Sequence, residues 1–125
     1  RDTLLKESDV VMLVVPYSAA THHLIGAREL ALMKSTATLI NIARGGVVDD
    51  QALIAALQEK RIAAAGLDVF ESEPAFDARF LEFDNVVITP HIASSSKATR
   101  GAMMQRAADN LLAHAKGLPL LTPVA

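Results

Sequence analysis

The sequence contains no cysteine and no tryptophan, and only one of its 125 residues is tyrosine. Without thiols, neither a disulfide framework nor a thiolate metal site can form. Nothing in the composition therefore indicates an oxidising compartment, and we expect a cytoplasmic protein.

Long apolar runs and a strong charge imbalance are also missing. The longest apolar run, residues 10–15, is much shorter than the ~20 residues that cross a bilayer, and the N-terminus lacks the layout of a signal peptide. Twelve Lys and Arg against fourteen Asp and Glu leave a formal net charge of −2, without a basic cluster. We therefore expect a soluble chain that has neither a nucleic acid nor a membrane as its partner.

Short apolar runs do recur along the chain. They occupy residues 10–15, 38–42, 63–69 and 86–88. Each run is continuous rather than alternating, which is typical of parallel strands that helices cover on both faces. Helix-forming residues separate the runs, and the spacing predicts successive right-handed βαβ units. The predicted fold class is α/β, with a parallel sheet of the doubly wound, Rossmann-like type.

Three helical segments are predicted from local signals. The first covers residues 27–34, and the second begins after Asp49 or Asp50 as its N-cap. The third runs from Lys97 to Lys116, where Gly117 ends it. Its apolar stripe consists of Met104, Ala108, Leu111, Leu112 and Ala115.

Residues with useful chemistry follow the ends of the predicted strands. Pro16, Arg44, Asp68 and His91 all stand at or just beyond such an end. In open α/β sheets, ligands bind beyond the carboxyl ends of the strands, where the loops diverge and leave a crevice. We therefore expect these residues to meet at one edge of the sheet.

Arg44 lies between Ala43 and the pair Gly45–Gly46. The glycines allow a tight turn and a close approach of the backbone to a ligand. A guanidinium group in that turn can hold a carboxylate through two parallel hydrogen bonds. The alternative is a solvated arginine beside a flexible turn.

His91 and Glu73 form the other part of the expected site. His91 directly follows an apolar strand, and an imidazole both gives and takes a proton near neutral pH. Glu73, in the irregular segment 72–84, could accept a hydrogen bond from His91, orient the ring and favour its charged form. Alternatively, His91 caps the next helix, which begins near residues 94–96, and Glu73 is a solvated loop carboxylate.

Asp68 ends an apolar segment, and a carboxylate there needs hydrogen-bond donors. These donors could belong to the amide of a ligand or to local backbone groups. The sequence leaves both explanations open.

The other histidines carry no expected function. His22 and His23 are adjacent, so we expect their side chains to diverge, and no carboxylate or cysteine sits at metal-ligand spacing from them. His114 falls on the polar side of the last helix. We therefore predict no metal site.

Four motifs, taken together, resemble the D-isomer-specific 2-hydroxyacid dehydrogenases, of the glyoxylate, hydroxypyruvate or 2-ketogluconate reductase kind. They run in order from Ser8 to about Val124 and read S-D-V-V-M-L-V-V-P-Y-S-A-A-T-H-H-L-I-G, L-I-N-I-A-R-G-G-V-V-D, A-G-L-D-V-F-E-S-E-P and N-V-V-I-T-P-H-I-A-S. The resemblance implies reversible, NAD(P)-dependent reduction of a small 2-keto acid. Arg44 would bind the substrate carboxylate and polarise the carbonyl, His91 would be the general acid and base, and Glu73 would be the partner of His91.

The resemblance also implies cofactor contacts. Pro16 and Thr21 would line the adenine and ribose side, and Ile42 and Ala43 would meet the nicotinamide end through their backbone. Asp68 would receive the carboxamide. Ala93 and Ser94 stand where the family often has Gly-Gly or Gly-Ser beside the nicotinamide. The family is usually dimeric through its cofactor domain, so a homodimer is expected.

One motif of the family is missing, because no G-x-G-x-x-G follows a strand in this chain. We therefore expect a C-terminal portion, with residues 1–96 forming the latter half of the NAD(P)-binding domain. Residues 97–125 would be a helix and tail that return to an absent substrate domain. The choice between NAD and NADP is not readable, and the segment alone should lack activity. Alternatives are an NAD-sensing binding protein of the corepressor type and a structural domain with a vestigial site.

Overall fold

The computed structural model of the chain describes residues 1–123. Val124 and Ala125, at the end of the predicted tail, lie outside the described residues. The chain divides into two compact units, one of residues 1–91 and one that starts at Ile92. The sequence places this boundary slightly later, after residue 96.

The first unit contains four strands and three α-helices. In chain order they are α1 (Asp2–Glu7), β1 (Val10–Leu13), α2 (Ala27–Leu32), β2 (Thr38–Asn41), α3 (Asp50–Gln58), β3 (Ala64–Leu67) and β4 (Val86–Ile88). Short 3₁₀ helices cover Gly45–Val47 and Ala78–Glu82. The predicted strands and the predicted helices between them are confirmed, whereas α1 and the two 3₁₀ helices were not predicted.

All four strands are parallel, and they lie in the order β1-β2-β3-β4. The register pairs Leu13 with Asn41 and Asn41 with Leu67, so neighbouring strands end side by side. The predicted α/β, Rossmann-like parallel sheet is therefore confirmed. Its aligned carboxyl ends place the segments after β1, β2 and β3 at one edge.

The core of the first unit lies on one face of the sheet. Leu13, Leu39 and Leu67 point into it and are almost fully buried. On the opposite face, here called the open face, Val10 and Met12 remain more than half exposed. The prediction that helices cover both faces is thus wrong for the described residues. Right-handed crossovers that always step to the next strand in the same direction place their helices on the same face.

Local capping explains where α3 begins. The Asp49 carboxylate accepts a hydrogen bond from the backbone N–H of Ala52 at 3.0 Å, which satisfies one of the free amides of the first turn. Of the two predicted caps, Asp49 therefore is the N-cap, and Asp50 becomes the first residue of the helix.

The second unit contains one long helix, α4 (Lys97–Ala115), which is confirmed within one residue of its predicted end. Ser96 caps it by accepting a hydrogen bond from the Thr99 amide at 3.1 Å. None of its side chains is buried, and Met104 and Leu111 of the predicted stripe are 74% and 71% exposed. Neither α4 nor any other helix within residues 1–123 has the length and hydropathy needed to cross a membrane.

Candidate active site

The turn that carries Arg44 is shaped by a buried amide. Asn41 is 1% exposed at the end of β2, and its side chain donates to the Arg44 carbonyl at 3.1 Å and accepts from the Ala43 amide at 3.1 Å. Both halves of this buried polar group are therefore satisfied, and they fix the path of the backbone. Sequence reasoning missed Asn41, although an amide inside an apolar strand was a usable signal.

Gly45 brings this turn against the segment that follows β3. A Cβ atom at Gly45 would lie 1.8 Å from the carbonyl oxygen of Phe70, so only glycine fits there. A Cβ at Gly46 would lie 2.8 Å from the ring of Tyr17. At Gly45, the predicted close approach of the backbone is thus made to the protein itself, namely to the backbone of Phe70.

Glu73 and His91 form a direct pair. The Nδ1 atom of His91 lies 2.7 Å from Oε2 of Glu73, and the Phe70 amide donates to Oε1 at 2.9 Å. Burial alone would raise the pKa of Glu73, but the hydrogen bonds from His91 and the Phe70 amide outweigh it, and the pKa is lowered. A charged carboxylate therefore faces Nδ1, which leaves Nε2 as the ring atom for a ligand.

The backbone of His91 adopts an uncommon conformation. Its φ of 53° lies in the left-handed region, which histidine occupies more readily than most residues. The amide of His91 donates to the Thr89 carbonyl at 3.1 Å, so the turn after β4 is closed locally. This turn directs the ring toward Glu73 instead of continuing the strand.

Arg44 shares one open cleft of about 980 Å³ with Glu73 and His91. The cleft lies at the carboxyl ends of the strands and is otherwise lined largely by apolar groups from residues 14–17 and 42–46. The Arg44 Nη1 atom donates to the Ala43 carbonyl at 2.7 Å, and none of the ion pairs found within residues 1–123 involves Arg44. The structure therefore gathers a cation, a carboxylate and an imidazole around one space.

The residues predicted for the cofactor lie in different places. Pro16, Ile42 and Ala43 line the cleft. The hydroxyl of Thr21 instead closes the loop after β1, where it donates to the Pro16 carbonyl at 2.8 Å and accepts from the Ser18 amide at 2.7 Å. The Thr21 hydroxyl therefore stabilises the loop after β1 through these two hydrogen bonds.

Asp68 is 3% exposed at the end of β3. Its carboxylate accepts a hydrogen bond from the Thr89 hydroxyl at 2.5 Å, and its amide donates to the Asn41 carbonyl at 3.0 Å. The observed donor is thus a side-chain hydroxyl from the end of β4, which is a third possibility beside the ligand amide and the local backbone groups that the sequence left open. Ala93 and Ser94 belong to the second unit, in an exposed turn before α4.

The predicted divergence of His22 and His23 is wrong. Their rings stack with centroids 3.9 Å apart, and Nε2 of His23 lies 2.7 Å from Oε1 of Glu71. His23 has a φ of 47°, and this left-handed turn brings two consecutive side chains to the same side. Glu71 comes from the segment after β3, so its approach depends on the fold and not on sequence spacing.

Asp50, the first residue of α3, lies next to the segment after β3 that carries Glu71. It is 7% exposed. Its carboxylate accepts a hydrogen bond from the Glu71 amide at 3.1 Å. Burial raises the pKa of Asp50 to about 6, and the neighbouring carboxylates of Glu71 and Asp49 act in the same direction. The hydrogen bond from the amide offsets only part of this effect.

We expect Asp50→Asn to stabilise the protein above pH 6 by roughly 3 kcal/mol. Because the folded state holds the Asp50 proton more tightly than the unfolded state, stability falls as pH rises from about 4 to about 6. The asparagine side chain keeps an acceptor for the Glu71 N–H. Because it does not ionise, it removes the pH dependence of stability that Asp50 causes. Urea unfolding of both proteins at about pH 4 and about pH 8 measures the difference, and a gain that is equal at both pH values would contradict the argument.

Sequence comparison relates this site to known proteins. Residues 1–93 match the model of the D-isomer specific 2-hydroxyacid dehydrogenase family, NAD binding domain. A glyoxylate reductase of Pyrococcus horikoshii is 53% identical over 116 residues, which cover 93% of this chain and 35% of that protein. A glyoxylate/hydroxypyruvate reductase B of Enterobacter agglomerans is 54% identical over 117 residues, which cover 93% of this chain and 36% of that protein.

Solved structures agree with the sequence matches. The NADPH-dependent glyoxylate/hydroxypyruvate reductase of Sinorhizobium meliloti, in complex with NADP and malonate, superposes with a TM-score of 0.94 at 42% identity, over 99% of this chain and 39% of that one. The holo D-mandelate dehydrogenase of Rhodotorula graminis gives a TM-score of 0.93 at 38% identity, over 99% of this chain and 36% of that one. The chain thus spans little more than a third of the length of the curated relatives named above.

Proposed function

The chain belongs to the D-isomer-specific 2-hydroxyacid dehydrogenase family, and on that premise we propose that it is part of an oxidoreductase acting on a small 2-keto acid. The reaction is transfer of a hydride between NAD(P)H and the carbonyl carbon. The observation that carries the proposal is the His91–Glu73 pair, at 2.7 Å, in the same cleft as Arg44.

Each of the three residues has a role that its geometry supports. Arg44 binds the carboxylate of the substrate through its guanidinium fork and polarises the adjacent carbonyl. His91 donates a proton from Nε2 to the carbonyl oxygen during reduction, and takes it back during oxidation. Glu73 accepts from Nδ1 of His91, which orients the ring and directs Nε2 to the substrate.

The cleft has features that suit a nicotinamide cofactor. It opens at the carboxyl ends of parallel strands, and Ile42, Ala43 and Pro16 give it an apolar wall on which a flat ring can lie. When bound, the nicotinamide supplies or accepts the hydride. The sequence has no glycine-rich phosphate-binding motif, so residues outside this chain would hold the pyrophosphate.

The remaining cofactor contacts rest on the family resemblance. We propose that Asp68, Ala93 and Ser94 serve the nicotinamide end, and that the Thr21 loop borders the ribose. One structural neighbour was solved with NADP and another, a D-lactate dehydrogenase of Lactobacillus jensenii, with NAD. NAD and NADP therefore both remain candidate cofactors for this chain.

The proposal predicts that the full-length protein oxidises NADH or NADPH in the presence of a 2-keto acid. Glyoxylate, hydroxypyruvate and 2-ketogluconate form the test panel, with acetone as a ketone that lacks the carboxylate. We expect turnover with at least one acid and none with acetone, because Arg44 has no carboxylate to bind there. Binding of NADH without turnover of any acid would instead indicate an NAD-sensing protein of the corepressor type.

Two further properties complete the proposal. The isolated 125 residues should show no turnover, since they span about 35% of the glyoxylate reductase that they match. We also propose a cytoplasmic homodimer for the full-length protein. The absence of cysteine from the sequence suits the cytoplasm, and the exposed apolar side chains of the open face suit an interface.

A further inference from the structure

We propose that His22, His23 and Glu71 bind a divalent transition-metal ion, with Zn²⁺ as the preferred ion. One donor atom from each side chain lies within 4.8 Å of the other two. The three residues come from two segments that the fold brings together, the loop after β1 and the segment after β3. This inference does not depend on the proposed dehydrogenase activity.

The backbone holds the two histidines in place. His23 has a φ of 47°, and its amide donates to the Gly46 carbonyl at 2.9 Å. Two residues further on, the Ile25 amide donates to the Val47 carbonyl at 3.1 Å. These two hydrogen bonds hold the loop after β1 against the turn after β2, and the rings of His22 and His23 lie side by side on this loop.

The three side chains have the chemistry of a zinc site. Two imidazoles and one carboxylate form a known set of protein ligands for Zn²⁺, with water as the fourth ligand. Nitrogen donors disfavour Mg²⁺ and Ca²⁺, which prefer oxygen ligands. The combination of donors thus points to an ion of the zinc class.

Binding requires the three side chains to rearrange, because donor atoms that lie within 4.8 Å of one another must come to ~3.3 Å. In a tetrahedral site, Zn–N and Zn–O bonds of about 2.0–2.2 Å place the two donor atoms ~3.3 Å apart. The Nε2 atom of His23 and Oε1 of Glu71 are 2.7 Å apart, so the ion replaces their shared proton and widens the gap by ~0.6 Å. Both side chains are about one third exposed, which leaves them room to move.

An oxygen atom lies near the Nδ1 atom of each ring, and at His22 it is within hydrogen-bond distance. Oδ2 of Asp49 lies 3.9 Å from Nδ1 of His23, and the Tyr17 hydroxyl lies 3.1 Å from Nδ1 of His22. A proton on Nδ1 of His22, directed to the Tyr17 hydroxyl, would leave Nε2 of that ring free for a metal, and a proton on Nδ1 of His23 would do the same for the second ring. Such outer partners set the tautomer of a ligating histidine and strengthen the site.

The test is a Zn²⁺ titration of the full-length, metal-free protein in competition with a chromophoric chelator. His23→Asn preserves the left-handed backbone, Glu71→Gln preserves the side-chain size, and His22→Ala removes an exposed ring. We expect each variant to bind the ion at least about tenfold more weakly. Asp49→Asn, which retains the cap of α3, should weaken binding by about tenfold.

His114→Ala is the matched control, since it removes an exposed imidazole from α4 and should bind Zn²⁺ like the parent protein. Circular dichroism of every variant verifies its fold. Loading with Co²⁺ provides a direct readout, because visible absorption bands should appear in the parent and in His114→Ala but not in His22→Ala. Equal affinity in the parent and the three ligand variants, or identical Co²⁺ spectra in all of them, would overturn the proposal.

Discussion

Replacement of His91 by asparagine in the full-length protein is expected to lower kcat by about 10²–10⁴-fold, with little change in KM. Of Arg44, Glu73 and His91, the imidazole belongs to the side-chain type that most often serves as a general acid and base. Asparagine tolerates the left-handed φ of 53° and still offers a hydrogen-bond donor to Glu73, so the turn should survive. The loss would therefore report on proton transfer and not on folding. Steady-state kinetics with the best keto acid of the panel measure it.

Two companion variants make this result specific. Glu73→Gln removes the charge that faces Nδ1 but keeps an acceptor for the Phe70 amide, so we expect a smaller fall in kcat. His114→Ala removes a histidine from α4 and should leave kcat unchanged. A kcat for His91→Asn within a few fold of the parent would exclude His91 as the general acid and base.

The second large effect is expected for Arg44→Lys, which should lower kcat/KM by about 10²–10³-fold. Lysine keeps the positive charge but loses the planar fork that binds a carboxylate through two hydrogen bonds. The effect should be large because Arg44 takes part in no ion pair within residues 1–123 and lines the cleft beside His91. Unlike His91→Asn, this variant should also raise KM, because it weakens binding of the ground state.

Arg28→Lys provides the matched control for Arg44. Arg28 is exposed and pairs with Asp2 at the surface, away from the segments that line the cleft. Its replacement tests whether loss of any guanidinium group reduces activity. An unchanged kcat/KM for Arg44→Lys would show that the substrate carboxylate is bound elsewhere.

The sequence predicts the gathering of Arg44, Glu73 and His91 because a simple rule applies to them. Parallel strands end at a common edge, and continuous apolar runs mark those strands clearly. To predict that the three residues meet, it was enough to know that each one follows the end of its own strand. The fold class and the helix caps follow from equally local signals.

Some features that depend on contacts between distant segments were missed. The approach of Glu71 to His23 joins positions 48 residues apart, and it requires a left-handed turn at a residue that is not glycine. The open face was missed for a different reason. An apolar run shows that a strand prefers burial on both sides, but it does not show whether the same chain supplies the cover. Val10 and Met12 illustrate this limit.

The contact between Gly45 and the backbone of Phe70 also limits how this family member can be redesigned. No side chain fits between the two segments, so the turn with Arg44 and the segment leading to Glu73 are held in direct backbone contact. We expect an insertion in either segment to displace both Arg44 and the Glu73 carboxylate that contacts His91.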